Sequence, residues 1–290
     1  MNKRKIIIIL FFFFSIISYS QNNVLRGEVI DVENNKPIPY VNIGVFNEMV
    51  GTVSNKEGLF NLKLNEEINV NDTITFSAIG YKTKRVPISN LDKDNNVVLI
   101  ESKIEQLEEV IVLPSQKQEL TIIGRDKKGG LSSKFFSPYD ENIDDKLSRE
   151  QGMLFKIKNS YEVQDINFHI SLNEFKNVKL RLNFYKVEHG LPKELLNKKD
   201  IIIDVEDGQL GWANFDLKPF NIFLDKSLGE VAITLQWLSS KKKTENSEYF
   251  GITAVNSLKK NGLFRSKGMG KWAKWGQTLS FYLNCTTTTQ

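Results

Sequence analysis

Residues 166–173, INFHISLN, alternate apolar and polar side chains without a break. The same period of two returns at 180–187, LRLNFYKV, and at 231–238, VAITLQWL. Successive side chains of a β-strand point to opposite faces of a sheet, so each stretch predicts a strand with one apolar and one polar face. Such apolar faces favour folding only when a second sheet covers them. The three stretches therefore predict a two-layer β-sandwich.

This pattern predicts a jelly-roll-like sandwich over residues 151–285, followed by a short tail at 286–290. Upstream, residues 24–112 alternate in shorter segments separated by turn-forming residues, and about seven strands fit there. They predict a smaller antiparallel sandwich. Between the two blocks, residues 113–150 are polar and contain Gly129 and Gly130, which is typical of an exposed linker. The sequence as a whole predicts an all-β protein of two domains.

Four motifs of the N-terminal block also occur together in a known family. They are GEVID at 27–31, KPIPYVNI at 36–43, GTVSNKEGLF at 51–60 and FSAIGYK at 76–82. In this order they resemble the carboxypeptidase-like regulatory domain, to which we assign residues 21–112. The resemblance implies a seven-stranded, transthyretin-like fold without catalytic residues. The C-terminal half is similar to uncharacterised jelly-roll-like sandwiches that accompany this domain.

Members of this family occur in Gram-negative envelope proteins, often ahead of the plug and barrel of TonB-dependent receptors. The rest of this chain is too short for a plug and a large barrel, so the receptor function does not carry over. Residues 107–112, LEEVIV, alternate like a strand. We interpret them as the closing strand of the first sandwich rather than as a segment that binds TonB.

The N-terminus has the three parts of a secretory leader. Lys3, Arg4 and Lys5 are basic, residues 6–17 are apolar apart from one serine, and a small residue, Ser20, follows at a suitable cleavage position. The apolar run is shorter than the roughly 20 residues that a helix needs to cross a bilayer, which makes a membrane anchor the alternative. We expect cleavage after Ser20, which predicts an exported protein of the periplasm, outer membrane or cell surface.

Composition excludes several classes of function. The formal charge of the 290-residue chain is +4, and removal of the basic leader would bring it close to zero, so nucleic acid is not an expected partner. One cysteine and two histidines are too few for a disulfide framework and make a zinc site improbable. We therefore expect no metal and no other cofactor. Cys285 is interpreted as a core or tail residue rather than a nucleophile.

No catalytic motif is present. A metallocarboxypeptidase needs a His-x-x-Glu pair, whereas Leu172 and Pro192 stand three residues after His169 and His189. The sequence has neither a G-x-S-x-G elbow nor a phosphate-binding P-loop. Two carboxylates suffice for a glycosidase, so motifs alone leave that class open. We predict a protein that is not an enzyme and has no catalytic residues.

Two sets of residues are candidates for ligand binding. Trp212, Asn214 and Asp216 alternate along one strand face, and an exposed indole beside an amide and a carboxylate suits stacking on a sugar ring. The alternative is a tryptophan packed against a loop at the rim of the sandwich. The second set lies in a C-terminal stretch free of acidic residues, which could hold an anionic group or form a solvated basic loop. Its candidate residues are Lys271, Trp272, Lys274 and Trp275.

These observations predict an exported, non-enzymatic envelope protein that acts as a structural or binding module for a protein or glycan partner. One alternative is a carbohydrate-binding accessory protein of a nutrient-uptake system. Two further alternatives are a small outer-membrane barrel formed by residues 153–285 and an unrecognised hydrolase.

Overall fold

The computed structural model describes residues 23–103, 119–130, 132–136 and 146–287. The predicted leader at 1–20, the predicted closing strand at 107–112 and the last three residues of the predicted tail lie outside these ranges. Where it is described, the chain consists almost entirely of β-strands joined by turns and three short 3₁₀ segments. The all-β fold class is confirmed.

Seven strands in two sheets form the first domain. They are β1 (Val24–Asp31), β2 (Asn42–Val45), β3 (Gly51–Val53), β4 (Leu59–Lys63), β5 (Thr73–Ser77), β6 (Lys84–Pro87) and β7 (Asn96–Ile100). One sheet has the order β4-β1-β7 and the other β3-β2-β5-β6. Val29, Phe60 and Phe76 are among the side chains buried between them. The predicted seven-stranded sandwich is present, except that β1 and β7 are parallel where the sequence predicts antiparallel neighbours.

The second domain is a larger sandwich. Its strands are β8 (Glu119–Gly124), β9 (Ser132–Phe136), β10 (Glu150–Lys156), β11 (Tyr161–Asn173), β12 (Phe175–Glu188), β13 (Leu191–Leu195), β14 (Ile202–Glu206), β15 (Gly211–Asp216), β16 (Phe223–Leu224), β17 (Glu230–Lys242), β18 (Phe250–Asn256), β19 (Gly262–Arg265), β20 (Ala273–Trp275), β21 (Gln277–Leu279) and β22 (Phe281–Thr287). One layer, which we call the inner sheet, has the order β13-β12-β17-β10-β19-β20, and β14 also pairs with β12. The other layer, which we call the outer sheet, has the order β21-β18-β11-β22-β8. In this sheet β15 and β16 also pair with β11, and β9 pairs with β18.

The core of the second domain lies between these two sheets. Ile166 and Phe168 of β11 face Leu182 of β12 and Leu235 of β17 across the layers, and all four are buried in one cluster. Trp237 lies in this core, with ring centroids 5.3 Å from those of Phe136 and Phe175. The apolar face that the alternation predicts is therefore the face that the sandwich buries.

Part of the predicted linker at 113–150 belongs to the second sandwich. Strand β8 pairs with β22 and β9 pairs with β18, both in the outer sheet. Ile123 of β8 and Phe136 of β9 are buried in the core of this sandwich. Strand β22 likewise continues through Thr286 and Thr287 into the predicted tail. Strands β8 and β9 are both short strands at the edges of the outer sheet, which gives them a weak sequence signal and is why composition alone favours a linker here.

The first domain contacts the outward face of the inner sheet. The Arg181 guanidinium donates to the Tyr40 carbonyl at 2.8 Å, and the Gln236 amide donates to Asn42 Oδ1 at 2.8 Å. The Asn47 backbone N–H donates to the Met269 carbonyl at 2.8 Å. These bonds place the first domain on the inner sheet, whereas the outer sheet forms the opposite layer of the second sandwich.

No helix in the described ranges has both the length and the apolar character needed to cross a membrane.

Candidate functional site

Strand pairing brings the first candidate set onto the outward face of the outer sheet. In the register of β15 with β11, Trp212 lies opposite His169, Asn214 opposite Asn167 and Asp216 opposite Asp165. Ala213, between them, is buried in the core, so the alternating partners point outward. The sequence predicts the shared face of Trp212, Asn214 and Asp216, and the structure adds the residues of β11 beside them.

Trp212 is held by two other rings and remains 38% exposed. Its ring meets His169 edge to face at 5.3 Å between centroids and meets Tyr282 of β22 at 5.0 Å. We call these three residues the aromatic trio. Edge-to-face packing fixes the indole without covering it, so part of the ring is already oriented for a ligand.

A row of amides and a carboxylate runs beside the aromatic trio. Asn214 Nδ2 donates to Asn167 Oδ1 at 2.9 Å, and Asn167 Nδ2 donates to Asp165 Oδ1 at 2.5 Å. Asn284 Nδ2 donates to the same carboxylate oxygen at 2.9 Å. We call Asn214, Asn167, Asp165 and Asn284 the polar ladder. Asp216 is not part of it, since its Oδ1 accepts the backbone N–H of Lys218 at 3.1 Å.

The rings of the trio stay neutral at ordinary pH. Burial lowers the pKa of the His169 imidazole below its usual value, and the positive charge of Lys128 acts in the same direction. His169 Nδ1 lies 2.8 Å from Thr253 Oγ1, which fixes the ring. Burial also raises the pKa of Tyr282, with Asp165 and Asp126 adding to the shift. This face therefore presents uncharged rings beside amide and carboxylate groups, a combination that can stack on apolar faces and exchange hydrogen bonds with hydroxyl groups.

Exposed apolar side chains border the same sheet. In the register of β8 with β22, Ile122 lies opposite Asn284 and Leu120 opposite Thr286. Phe223 of β16 lies opposite Glu162 of β11. All three apolar side chains are exposed. Apolar side chains thus lie at the edges of a face whose middle is polar and aromatic.

The second candidate set lies on the other layer. Trp272 meets Tyr185 at 5.7 Å between ring centroids, and the Arg265 guanidinium lies 4.5 Å from its ring. Trp275 stacks on Phe264 at 5.5 Å between centroids.

The lysines of this region differ in their surroundings. The Lys134 Nζ lies 3.7 Å from the centroid of the Trp275 ring, so this ring already has a cation on it. Lys271 and Lys274 are exposed. The structure therefore does not join this set to Trp212, and both tryptophan rings already have partners inside the protein.

A buried polar cluster on the inner sheet was not identified from the sequence. Glu150 is fully buried and accepts hydrogen bonds from Asn183 at 2.8 Å, from Tyr185 at 3.0 Å and from the Thr234 hydroxyl. Arg265 Nε donates to its other oxygen at 2.8 Å. Every oxygen of the carboxylate is therefore bonded within the protein, which fits a structural role.

This cluster corrects one expectation. Alternation predicts a solvated polar face for the strand at 180–187, yet Arg181 and Asn183 on that face are buried. The first domain covers the sheet near Arg181, which binds the Tyr40 carbonyl. Alternation of apolar and polar residues predicts a strand with two chemically different faces. It does not predict whether water or another domain covers the polar face.

A cleft with a volume of about 750 Å³ lies between the domains. Its lining includes Arg26, Glu28 and Asp94, and Arg26 is paired with Asp94 at 2.8 Å. Ser239 and Ser240 also line it, but no histidine does. This lining has no nucleophile beside a base. Across the described parts of the chain, no three His, Cys, Asp or Glu side chains are grouped to hold a metal ion.

Cys285 lies on the core side of β22 and is fully buried. Burial raises the pKa of its thiol to about 12, and the Asp165 carboxylate adds to the shift. Because only the thiolate is nucleophilic, we expect iodoacetamide to leave the native protein unlabelled at mildly alkaline pH. The same reagent should label the chain once in denaturant. Native labelling as fast as denatured labelling would show that the thiol is accessible. Intact mass spectrometry measures both.

Comparison with curated protein sequences finds no match. Among solved structures, the cysteine protease and lectin-like domains of Cwp84, a surface layer associated protein of Clostridium difficile, are similar at 10% identity and a TM-score of 0.39, over 83% of this chain and 45% of that one. The infectious bursal disease virus VP2 subviral particle is similar at 9% identity and a TM-score of 0.25, over 92% of this chain and 64% of that one. The chain thus spans less than two thirds of either protein.

A family model described as the CarboxypepD_reg-like domain matches residues 25–112. This range contains the four motifs quoted above and, apart from Val24 at the start of β1, all seven strands of the first domain. The resemblance seen in the sequence is confirmed. The N-terminal region of this protein carries a CarboxypepD_reg-like domain, and a larger β-sandwich follows it.

Proposed function

We propose that this protein is an exported, non-enzymatic binding module of the cell envelope that holds a neutral glycan against its outer sheet. The observation that carries the proposal is the partly exposed Trp212 indole, fixed edge to face by His169 and Tyr282 beside the polar ladder. An indole supplies a stacking surface for a sugar ring. The basic leader and apolar run at the N-terminus support export.

The charge on this face favours a neutral sugar over an anionic one. Asp165 and Asp216 lie on it, Asp126 is close enough to raise the pKa of Tyr282, and the cation that acts on His169 is Lys128. The rings themselves are uncharged. Asn214 and Asn284 each have a second amide hydrogen for sugar oxygens, and the carboxylates accept from hydroxyl groups. The proposed ligand is a neutral hexose-containing chain that lies along the strands of the outer sheet. The protein needs no cofactor for this, and nucleic acid is not a proposed partner.

The test is binding of the full mature chain to a panel of neutral polysaccharides, by affinity electrophoresis and then calorimetry. We expect Trp212→Ala to weaken binding about tenfold or more, since stacking contributes on the order of 1 kcal/mol beyond the area it covers. Asn214→Ala should also weaken it. Phe223→Ala removes an exposed ring from the edge of the same sheet and is the matched control.

Equal affinity of the wild type and Trp212→Ala would refute the glycan proposal. A glycoside and peptide turnover assay on the same samples checks the hydrolase alternative. We expect no turnover, because the lining of the cleft between the domains has no nucleophile beside a base.

A further inference from the structure

The turn between β2 and β3 exposes two large apolar side chains. Phe46 is 66% exposed and Met49 is 64% exposed. The turn is closed by the bond from Val45 N–H to the Val50 carbonyl at 3.0 Å, and Asn47 takes the left-handed conformation with φ of 63°. A closed turn fixes the backbone that carries both side chains, so little further backbone ordering is needed when a partner buries them.

This turn lies against the loop between β19 and β20 of the second domain. Asn47 N–H donates to the Met269 carbonyl at 2.8 Å. A Cβ added to Gly270 would stand 3.0 Å from the Glu48 carbonyl oxygen, and one added to Gly51 would stand 3.1 Å from the Lys267 Cβ. The approach leaves little room for a side chain at Gly270. The two domains thus build one continuous surface at this point.

Lys271 follows Gly270 in that loop, and Lys274 lies in the adjoining strand β20. Lys271 and Lys274 are exposed, and no acidic residue occurs from position 251 to 290. Arg265, by contrast, is bound to Glu150 beneath the surface. The one acidic side chain of the turn is Glu48. We call Phe46, Met49, Met269, Lys271 and Lys274 the apolar-basic surface.

We propose that the apolar-basic surface docks onto a bilayer that contains anionic phospholipid. Phe46 and Met49 would enter the boundary between headgroups and acyl chains, and the lysines would lie at the phosphates. Exposed apolar side chains beside lysines are typical of proteins that bind the interface of a membrane. An acidic protein surface would pair with the lysines but would leave Phe46 and Met49 without a role. This argument does not depend on glycan binding, which uses the other layer of the sandwich.

The test is co-sedimentation of the full mature chain with vesicles of phosphatidylcholine, with and without phosphatidylglycerol. We expect binding only to the anionic vesicles and a marked loss of binding at high salt. The double variants Phe46→Ser/Met49→Ser and Lys271→Glu/Lys274→Glu should each lower the partition coefficient about tenfold or more. All four positions are exposed or lie in turns and loops, and circular dichroism checks that the variants fold.

The matched control is Leu210→Ser, which removes an exposed apolar side chain from the turn between β14 and β15, next to acidic rather than basic residues. It should bind like the wild type. Absence of binding to anionic vesicles would overturn the proposal, as would equal binding to both vesicle types. Binding that is lost in the lysine variant but kept in Phe46→Ser/Met49→Ser would also overturn it and would indicate a purely charged partner.

Discussion

Replacing Arg265 with methionine is expected to lower the free energy of unfolding by about 3–5 kcal/mol. The guanidinium is the cationic partner of Glu150, which has no exposure to solvent. The remaining donors to Glu150, from Asn183, Tyr185 and Thr234, carry no positive charge. The variant therefore leaves a buried carboxylate without a counter-charge. Urea denaturation followed by tryptophan fluorescence measures the loss.

The control for this prediction is the double variant Glu150→Gln/Arg265→Met. It removes both charges and keeps an amide that the three donors can still reach. We expect it to be more stable than Arg265→Met alone, because a neutral side chain costs less to bury than an unpaired charge. If the double variant were the less stable of the two, the buried charge could not be the cause of the loss.

Replacing Trp237 with alanine is expected to cost about 3–5 kcal/mol of stability. Trp237 is fully buried, and its ring contacts those of Phe136, Phe175 and Phe250. Removing the indole leaves a cavity in the middle of the sandwich that these rings cannot fill.

Two matched variants test the cause of this loss. Trp237→Phe should cost less, because it retains part of the ring volume. Trp212→Ala, on the outer face, should cost less, on the order of 2 kcal/mol, because each of its two edge-to-face contacts contributes about 0.5–1.5 kcal/mol. Thermal unfolding of the three variants compares them. A larger loss for Trp212→Ala than for Trp237→Ala would contradict the assignment of core and surface.

The sequence predicts the layers of this protein better than it predicts what covers them. Alternation at 166–173 and 231–238 identifies strands whose apolar faces form the core. It does not reveal that the first domain covers Arg181 or that Glu150 lies in a buried polar cluster. A polar face that another domain covers has the same sequence pattern as one that water covers. Strands β8 and β9 are not predicted from the sequence either, because each pairs with a strand more than a hundred residues away.

The candidate site is also only partly predictable from the sequence. The spacing of Trp212 and Asn214 predicts that they share a face, and the polar side of β11 contains Asn167 and His169. Nothing in the sequence fixes the register that sets these residues side by side. Tyr282 is still harder to assign, because it comes from β22, far along the chain. Long-range pairing, rather than local propensity, assembles this site.

The most direct test of glycan binding is the indole N–H region of a nitrogen-15 NMR spectrum during titration with the strongest-binding polysaccharide fragment. The chain has four tryptophans, so four signals are expected, and a Trp212→Phe variant assigns the relevant one. We predict that the Trp212 signal shifts and that those of Trp237, Trp272 and Trp275 stay in place. A titration in which the Trp272 or Trp275 signal moves while Trp212 does not would contradict the proposed site.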